Sequence, residues 1–267
     1  MAQIATGNTS ITISSEDQRE AFIEVFGRDY LKGFQDPIIF QNLSFFSPSV
    51  KSEYKHNFKV LSRCLFAEYV YRRRPQYNHA LLDKFSALCA TKLADIQKLL
   101  SMKTQQLEQT CSGNGVPIDA SYLSCVNKTV PIIHASARQY IQCLVLLDRL
   151  FLVSGSAALN GVISAEQRKD VELKSKKAVR AFAGMIRIEA IHIRKEGQRL
   201  LKDAEGDIEL GEAMQLQDQA IAEADAAESQ QAASEQGVML SESPQSDLEG
   251  IMAVSLAANA HAAKSAA

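Results

Sequence analysis

The chain has 267 residues, of which 46% are hydrophobic and none is tryptophan. No run of about 18 apolar residues occurs, which argues against a membrane span, and the first residues have neither the basic start nor the apolar core of a signal peptide. The five cysteines are widely spaced and form no Cys-x-x-Cys pair. This pattern predicts reduced thiols in a cytoplasmic protein without a membrane association.

The net charge of −2 conceals an uneven distribution of charged residues. Residues 1–202 hold 28 of the 29 basic residues but only 18 of the 31 acidic ones, whereas residues 203–263 hold 13 acidic residues and no basic one. We therefore predict a basic helical domain, residues 1–204, and a partly disordered acidic tail rich in Ala, Glu, Gln and Ser, residues 205–267. A basic body favours a polyanionic partner, and the alternative is an ordinary solvated surface with a tail that maintains solubility.

The first part of the chain predicts a strand, a helix, a loop and a second helix. Residues 8–14 alternate polar and apolar side chains, which is typical of a strand with one wet face. A capping box then opens a helix that we expect over residues 15–31. Residues 34–50 are aromatic and turn-rich without a clear period, and predict a packed loop or short strands. Apolar residues at helical spacing return over residues 52–73 and predict the second helix.

The middle of the chain predicts a long helix followed by a strand that runs directly into a buried helix. A broad apolar face predicts a helix over residues 78–108, and residues 111–120 form a turn-rich surface loop. Residues 126–134 predict a strand whose odd and even positions face opposite sides. Pro131 cannot donate a hydrogen bond to a neighbouring strand, so we expect an edge strand or one that is only half paired. The helix that follows spans residues 136–153.

The last third of the chain predicts a small-residue turn and a basic helix before the tail. Residues 154–163 are small and predict the turn. Ser164 caps a strongly basic helix that we expect to run to about residue 202. Within the tail, residues 207–232 are helical by propensity, and residues 233–267 have the composition of a disordered segment.

Three groups of residues are candidates for contacts with a polyanion. The run Arg72–Arg74 stands before Pro75, where it either complements the dipole of the preceding helix or forms a phosphate-contact cluster. Lys128 and Thr129 lie in the predicted strand, on opposite faces. The basic helix adds a third group, which consists of Arg168, Lys169, Lys176 and Lys177.

Catalytic and metal-binding motifs are absent from the sequence. It contains no phosphate-binding loop, dinucleotide fingerprint, zinc-protease motif or nucleophile elbow. The five histidines never fall in pairs at ligand spacing, and His134, at the strand-to-helix junction, has the setting of a structural histidine. We therefore expect no enzymatic activity, no metal and no cofactor.

Two parts of the sequence resemble a known family. One is residues 11–29, and the other is residues 131–169 followed by residues 176–185. They resemble a family of proteins carried by integrating conjugative elements and large conjugative plasmids, which includes the AcaB type of transcriptional regulator. The resemblance covers residues 8–200 and leaves the acidic tail outside it.

The resemblance implies a fold that is mainly α with a small β ribbon, in which a ribbon-helix-helix-like core carries extra long helices. It also implies a homodimer that binds double-stranded promoter DNA through the ribbon and activates conjugative transfer genes. Arg72–Arg74 and the bases of the 168–180 segment would hold phosphates, and Lys128 or Thr129, or the polar residues of strand 8–14, would reach base edges. The alternative is a structural or adaptor protein of the transfer machinery that acts through protein contacts. The sequence leaves open which of the two strands enters the groove.

Overall fold

Helices account for most of the described residues, and a small sheet packs against them. The computed structural model describes residues 15–28, 36–203, 211–212 and 214–226, and the side chains of all of these except 198–203. The predicted strand at residues 8–14 and the predicted disorder of residues 233–267 lie outside this part of the chain. The elements are α1 (Ser15–Phe26), β1 (Ile39–Phe45), α2 (Pro48–Glu53), a π-helical turn (Tyr54–Phe58), α3 (Lys59–Arg72), α4 (His79–Gly113), β2 (Val126–Ile132), α5 (Ala135–Leu159), α6 (Ala165–Asp203) and α7, described over 214–226.

The sheet is a two-stranded antiparallel ribbon formed by β1 and β2. The predicted strand at 126–134 is confirmed as β2, and its partner comes from the aromatic segment in which we predicted a loop or short strands. Among the described residues neither strand has a second neighbour, and Pro131 lies opposite Phe40. The ribbon is complete within one chain, so its formation requires no second copy.

The two faces of the ribbon differ in chemistry because successive residues of a strand point to opposite sides. Leu43, Phe45, Val130 and Ile132 are buried and form the core face. The opposite face, which we call the outer face, carries polar side chains over most of its length and the buried Pro131 opposite Phe40 at one end. It consists of Phe40, Asn42, Ser44, Asn127, Thr129 and Pro131.

The long helices pack side by side, and their directions follow from where β2 lies in the chain. Gln97 of α4 bonds Gln139 of α5 near one end, and Glu108 bonds Arg149 farther along both helices, so α4 and α5 run parallel. Parallel neighbours need a return connection, and the loop and β2 provide it. Helix α6 then packs against α3, α4 and α5.

Helix α5 is the apolar centre of this arrangement. It is long and apolar enough to span a membrane by length and composition, but 67% of that apolar window is buried inside the fold, as in a core helix. It continues to Leu159, so the turn that we predicted from residue 154 is wrong over its first six residues. The small residues there allow α6 to approach. A Cβ added to Gly155 would lie only 3.7 Å from the Arg168 guanidinium.

Helix α7, up to residue 224, belongs to the same compact unit as the helices before it. By its contacts the chain divides into residues 1–224 and 225–267, so the first unit extends past the predicted boundary at residue 204. Gln217 of α7 is fully buried, accepts a hydrogen bond from the Tyr71 hydroxyl and donates to the Ala190 carbonyl. The acids of α7 neutralise bases of the body, for example in the pair between Glu223 and Lys59 at 2.9 Å. Part of the acidic tail therefore completes the core.

Replacement of two glycines of α6 by alanine is expected to change the free energy of unfolding in opposite directions. A Cβ on Gly197 would lie 2.9 Å from the Tyr71 ring, whereas a Cβ on Gly184 meets nothing within 4 Å. We expect Gly197→Ala to lower the free energy of unfolding by about 2 kcal/mol through overpacking, and Gly184→Ala to raise it by about 0.8 kcal/mol through helix propensity. Denaturant titrations followed by circular dichroism measure both changes. Equal effects of the two substitutions would contradict the packing of Tyr71 on α6.

A second expected result concerns the two largest fully buried tyrosines. The Tyr140 hydroxyl is buried without a hydrogen-bond partner among the described residues, while the Tyr71 hydroxyl bonds Gln217 at 3.2 Å. Because an unpaired buried hydroxyl is costly, Tyr140→Phe should stabilise the fold by about 1 kcal/mol, and Tyr71→Phe should destabilise it by about 1 kcal/mol. Thermal unfolding of the two variants tests the difference, and a loss of stability in Tyr140→Phe would show that its hydroxyl is satisfied.

Candidate nucleic-acid interface

The outer face of the ribbon carries two hydrogen-bonded pairs across the strands. The Thr129 hydroxyl donates to Asn42 Oδ1 at 2.9 Å, and the Ser44 hydroxyl donates to Asn127 Oδ1 at 2.7 Å. Asn42, Ser44 and Asn127 are exposed. Because both amide oxygens accept bonds within the ribbon, the two NH₂ groups remain as hydrogen-bond donors on this face.

Lys128 and Thr129 lie on opposite faces, as the alternation predicts. Thr129 lies on the outer face, opposite Asn42. Lys128 lies opposite Leu43 on the core face, at the end where that face meets α1. Its ammonium is 3.1 Å from both carboxylate oxygens of Glu24. Of the two residues, only Thr129 belongs to the polar surface.

Arg72 is held by acidic side chains of the fold. Its guanidinium lies 2.8 Å from Glu68 and 2.8 Å from Asp83, and it donates to the Ser86 hydroxyl at 3.1 Å. Glu68 is 1% exposed. Arg72 therefore links α3 to α4, which gives it a structural role whether or not it also meets a partner.

Glu68 is the buried centre of this network. Its second oxygen lies 3.1 Å from Nε2 of His134, whose Nδ1 accepts a bond from the Ser136 N–H and so caps α5. Burial by itself raises the pKa of Glu68, but the hydrogen bonds and charges of His134 and Arg72 outweigh it and leave the pKa below its ordinary value. One carboxylate thus joins α3 to the junction between β2 and α5.

Arg73 and Arg74 have different surroundings from Arg72. Arg73 is 53% exposed, lies 3.5 Å from Asp36 and stacks over the Tyr69 ring at 5.7 Å. The Arg74 carbonyl is bonded by the imidazole of His79 at 3.1 Å, which ties the turn after α3 to the start of α4. Arg73 is the member of the run with its charge most open to solvent.

The four predicted residues of α6 fall into two pairs. Arg168 bonds Glu172 at 2.7 Å, and Lys176 lies 3.4 Å from the buried Glu53. Lys169 and Lys177 are exposed, and neither has an ion-pair partner in the part of the chain that the structure describes. The latter two are therefore the α6 bases most available to an external anion.

Buried acids anchor the chain as it leaves the ribbon. Asp148 of α5 accepts hydrogen bonds from the backbone N–H groups of Phe46 and Ser47 at 3.0 and 2.8 Å. Burial raises the pKa of Asp148 above its ordinary value, although these two N–H groups act in the other direction. Glu53, at the end of α2, then bonds Arg180 of α6 at 2.6 Å. The ribbon is held to the helices through these contacts.

The predicted residues therefore lie at both ends of the ribbon. Asp36, three residues before β1, contacts Arg73, while Ser49, four residues after β1, borders a groove with Arg168 and Lys176. The structure does not gather all of the predicted residues into one cluster. Among the described residues, no group of three or more His, Cys, Asp or Glu side chains could hold a metal ion.

Comparison with known proteins yields a similarity of fold. No family model matches the chain, and no curated protein matches it significantly. The crystal structure of selenomethionine-containing AcaB from uropathogenic E. coli superposes on it with a TM-score of 0.59 and 20% sequence identity. This chain is similar in fold to AcaB. The superposition covers 68% of this chain and 100% of the AcaB chain.

The AcaB-like fold includes surface residues that the sequence analysis did not identify. Asn42 and Ser44 provide half of the polar outer face, and they lie in the segment without a clear period. The signal is the short alternation from Gln41 to Phe45, in which Leu43 and Phe45 are buried. Over so few residues the pattern does not separate a strand from a packed loop.

Proposed function

We propose that the protein is a DNA-binding transcriptional regulator of conjugative transfer genes that acts as a homodimer in the cytoplasm. The likeness of its fold to AcaB supports a regulator of conjugation-related genes, together with the family resemblance of residues 8–200. The basic excess of residues 1–202 supports a polyanionic partner. We further propose that the protein acts without catalysis and that it activates rather than represses its target genes.

The observation that carries the proposal is the polar outer face of the ribbon. A two-stranded ribbon fits the major groove, where base edges present hydrogen-bond acceptors at N7 and O6 of guanine, N7 of adenine and O4 of thymine. The amide NH₂ groups of Asn42 and Asn127 are donors that match these acceptors. We propose that these amides and Thr129 contact bases, which assigns the groove-facing role to β2 and its partner β1.

Phosphate contacts would come from exposed bases on either side of the ribbon. Arg73, Lys169 and Lys177 have the exposure that such contacts require. Arg74 remains a candidate, and so do Arg72, Arg168 and Lys176, which contact acids of the fold. Lys128 is paired with Glu24 on the core face and would take no part in reading bases.

A salt titration of duplex binding tests the proposal. The full chain should bind a random-sequence duplex with an affinity that falls about 10³-fold between about 50 and 200 mM salt, because bound phosphates release counterions. Lys177→Ala should lower the salt slope by about one, whereas Lys264→Ala, in the acidic tail, should leave it unchanged. Genomic-fragment selection would then identify the specific site. Absence of binding at about 50 mM salt would refute a DNA-binding role, since non-specific affinity is highest at low salt.

The choice of Arg73 over Arg72 matters for such mutagenesis. Removal of Arg72 breaks its contacts with Glu68 and Asp83, so a loss of DNA binding in Arg72→Ala would be ambiguous. Arg73→Ala leaves that network intact and tests the cluster directly. Its affinity for duplex should fall, and its stability should change by no more than about 1 kcal/mol, because its contacts with Asp36 and Tyr69 are exposed.

A second candidate function is that of an adaptor within the transfer machinery. One observation favours it, namely two neighbouring apolar side chains of α6, where Ile188 is 58% exposed and Ile191, about one turn farther along, is 38% exposed. Exposed apolar residues on a helix are suited to protein contacts. This alternative predicts a stable complex with a protein of the transfer apparatus and no shift of duplex DNA at any salt concentration.

A further inference from the structure

A groove lies where the start of α6 meets α2 and α5. It has a volume of about 410 Å³, which falls within the range of about 300–1,000 Å³ typical of small-molecule sites. Leu173, which is 61% exposed, supplies apolar surface to the groove, and Phe151, which is buried, also borders it. Basic side chains stand around this apolar surface. They are Arg168, Lys169 and Lys176.

The charges around the groove are only partly compensated. Glu172 accepts from Arg168 at 2.7 Å and from the Ser154 hydroxyl at 2.8 Å, so this ion pair is held in place by α5. Lys176 lies 3.4 Å from Glu53, which also accepts a hydrogen bond from Arg180 at 2.6 Å. Lys169 is exposed and has no ion-pair partner among the described residues. The groove is therefore positive on balance.

We propose that this groove binds a small amphipathic anion, in which a phosphate or carboxylate is attached to an apolar ring. The anionic group would meet Lys169 and Lys176, and the ring would lie on the exposed side chain of Leu173. An exposed leucine beside three cations suits such a ligand better than it suits a duplex backbone, which is convex and offers charge without apolar surface. The inference concerns a site separate from the ribbon. It uses Lys169, Arg168 and Lys176, which are also candidates for the phosphate contacts proposed above, so a titration in the presence of duplex distinguishes the two assignments.

The probe for this site is 1-naphthyl phosphate, titrated calorimetrically into the full chain. Saturable one-site binding is expected. The compounds 1-naphthol and inorganic phosphate should each bind at least about tenfold more weakly, because 1-naphthol lacks the phosphate and inorganic phosphate lacks the apolar ring. Lys169→Ala should lower the affinity for the probe by about tenfold, which corresponds to the loss of one charge-assisted hydrogen bond. Lys177→Ala is the matched control, since Lys177 is an equally exposed lysine of α6 that does not line the groove.

The same titration in the presence of duplex DNA separates this site from the proposed function. If the probe binds equally well with and without saturating random duplex, the groove is a small-ligand site. Displacement of the probe by duplex, together with a loss of duplex affinity in Lys169→Ala, would overturn the inference and assign the groove to a backbone phosphate. Equal binding of inorganic phosphate and 1-naphthyl phosphate would also overturn it, because the apolar surface would then contribute nothing.

Discussion

Replacement of Glu68 by alanine is expected to lower the free energy of unfolding by about 3 kcal/mol, which is the usual cost of removing one member of a buried ionic network. Glu68 is 1% exposed and contacts Arg72, Ser86 and His134. Its loss leaves the Arg72 guanidinium and the His134 ring facing an empty buried space. Because His134 caps α5 and directly follows β2, the ends of both elements should loosen together.

Denaturant unfolding followed by far-ultraviolet circular dichroism measures this change, since the chain has no tryptophan to report by fluorescence. Glu20→Ala is the matched control, because Glu20 is an exposed glutamate of α1 and its replacement should change stability by less than about 0.5 kcal/mol. Equal midpoints for wild type and Glu68→Ala would show that the network contributes nothing to stability.

The same residue predicts a pH dependence with a defined sign. The pKa of Glu68 in the folded protein lies below its ordinary value of 4.5, so the folded state favours the ionised form. Its contribution to stability is therefore present above pH 4.5 and is lost as the pH falls through the folded pKa. Glu68→Gln should lose less stability than wild type over that acidic window. An identical pH profile for both proteins would contradict the lowered pKa.

The second large effect is expected from the outer face of the ribbon. In a protein with both Asn42→Ala and Asn127→Ala, affinity for the selected genomic site should fall about 100-fold, because two donors to base edges are lost at about 1–2 kcal/mol each. Affinity for random duplex should change by less than about threefold, since phosphate contacts remain. Fluorescence anisotropy with both duplexes at one salt concentration measures the ratio.

Two further variants separate base reading from ribbon stability. Asn42→Asp with Asn127→Asp keeps the oxygens that accept from Thr129 and Ser44 but replaces the outward donors by negative charge. These aspartates should abolish specific binding while the fold stays intact. Gln105→Ala, an exposed amide on α4, should have no effect. An equal loss on specific and random duplex in the alanine protein would mean that the ribbon contributes to non-specific affinity alone.

Most of the helical architecture could be read from local patterns. The apolar periodicity of α4 and the capping residue Ser164 place those elements within a few residues, and Ser164 forms the expected reciprocal bonds with Gln167 at 3.1 and 2.8 Å. The strand at 126–132 is also confirmed, since alternation of β-branched residues is a local signal. The helical propensity of residues 207–232 is confirmed for the described part of α7.

The amino-acid sequence by itself determined where the helices form, which strand runs into the core helix, and that the body is basic, because propensity, periodicity and charge are properties of short segments. Only the tertiary structure decided which residues share a surface. The pairing of β1 with β2 joins Asn42 to Thr129, and Glu68 draws Arg72 into the fold. These contacts link residues far apart in the chain. They form because the ribbon buries its core face against the helices, and because the buried carboxylate of Glu68 makes polar contacts with several elements at once.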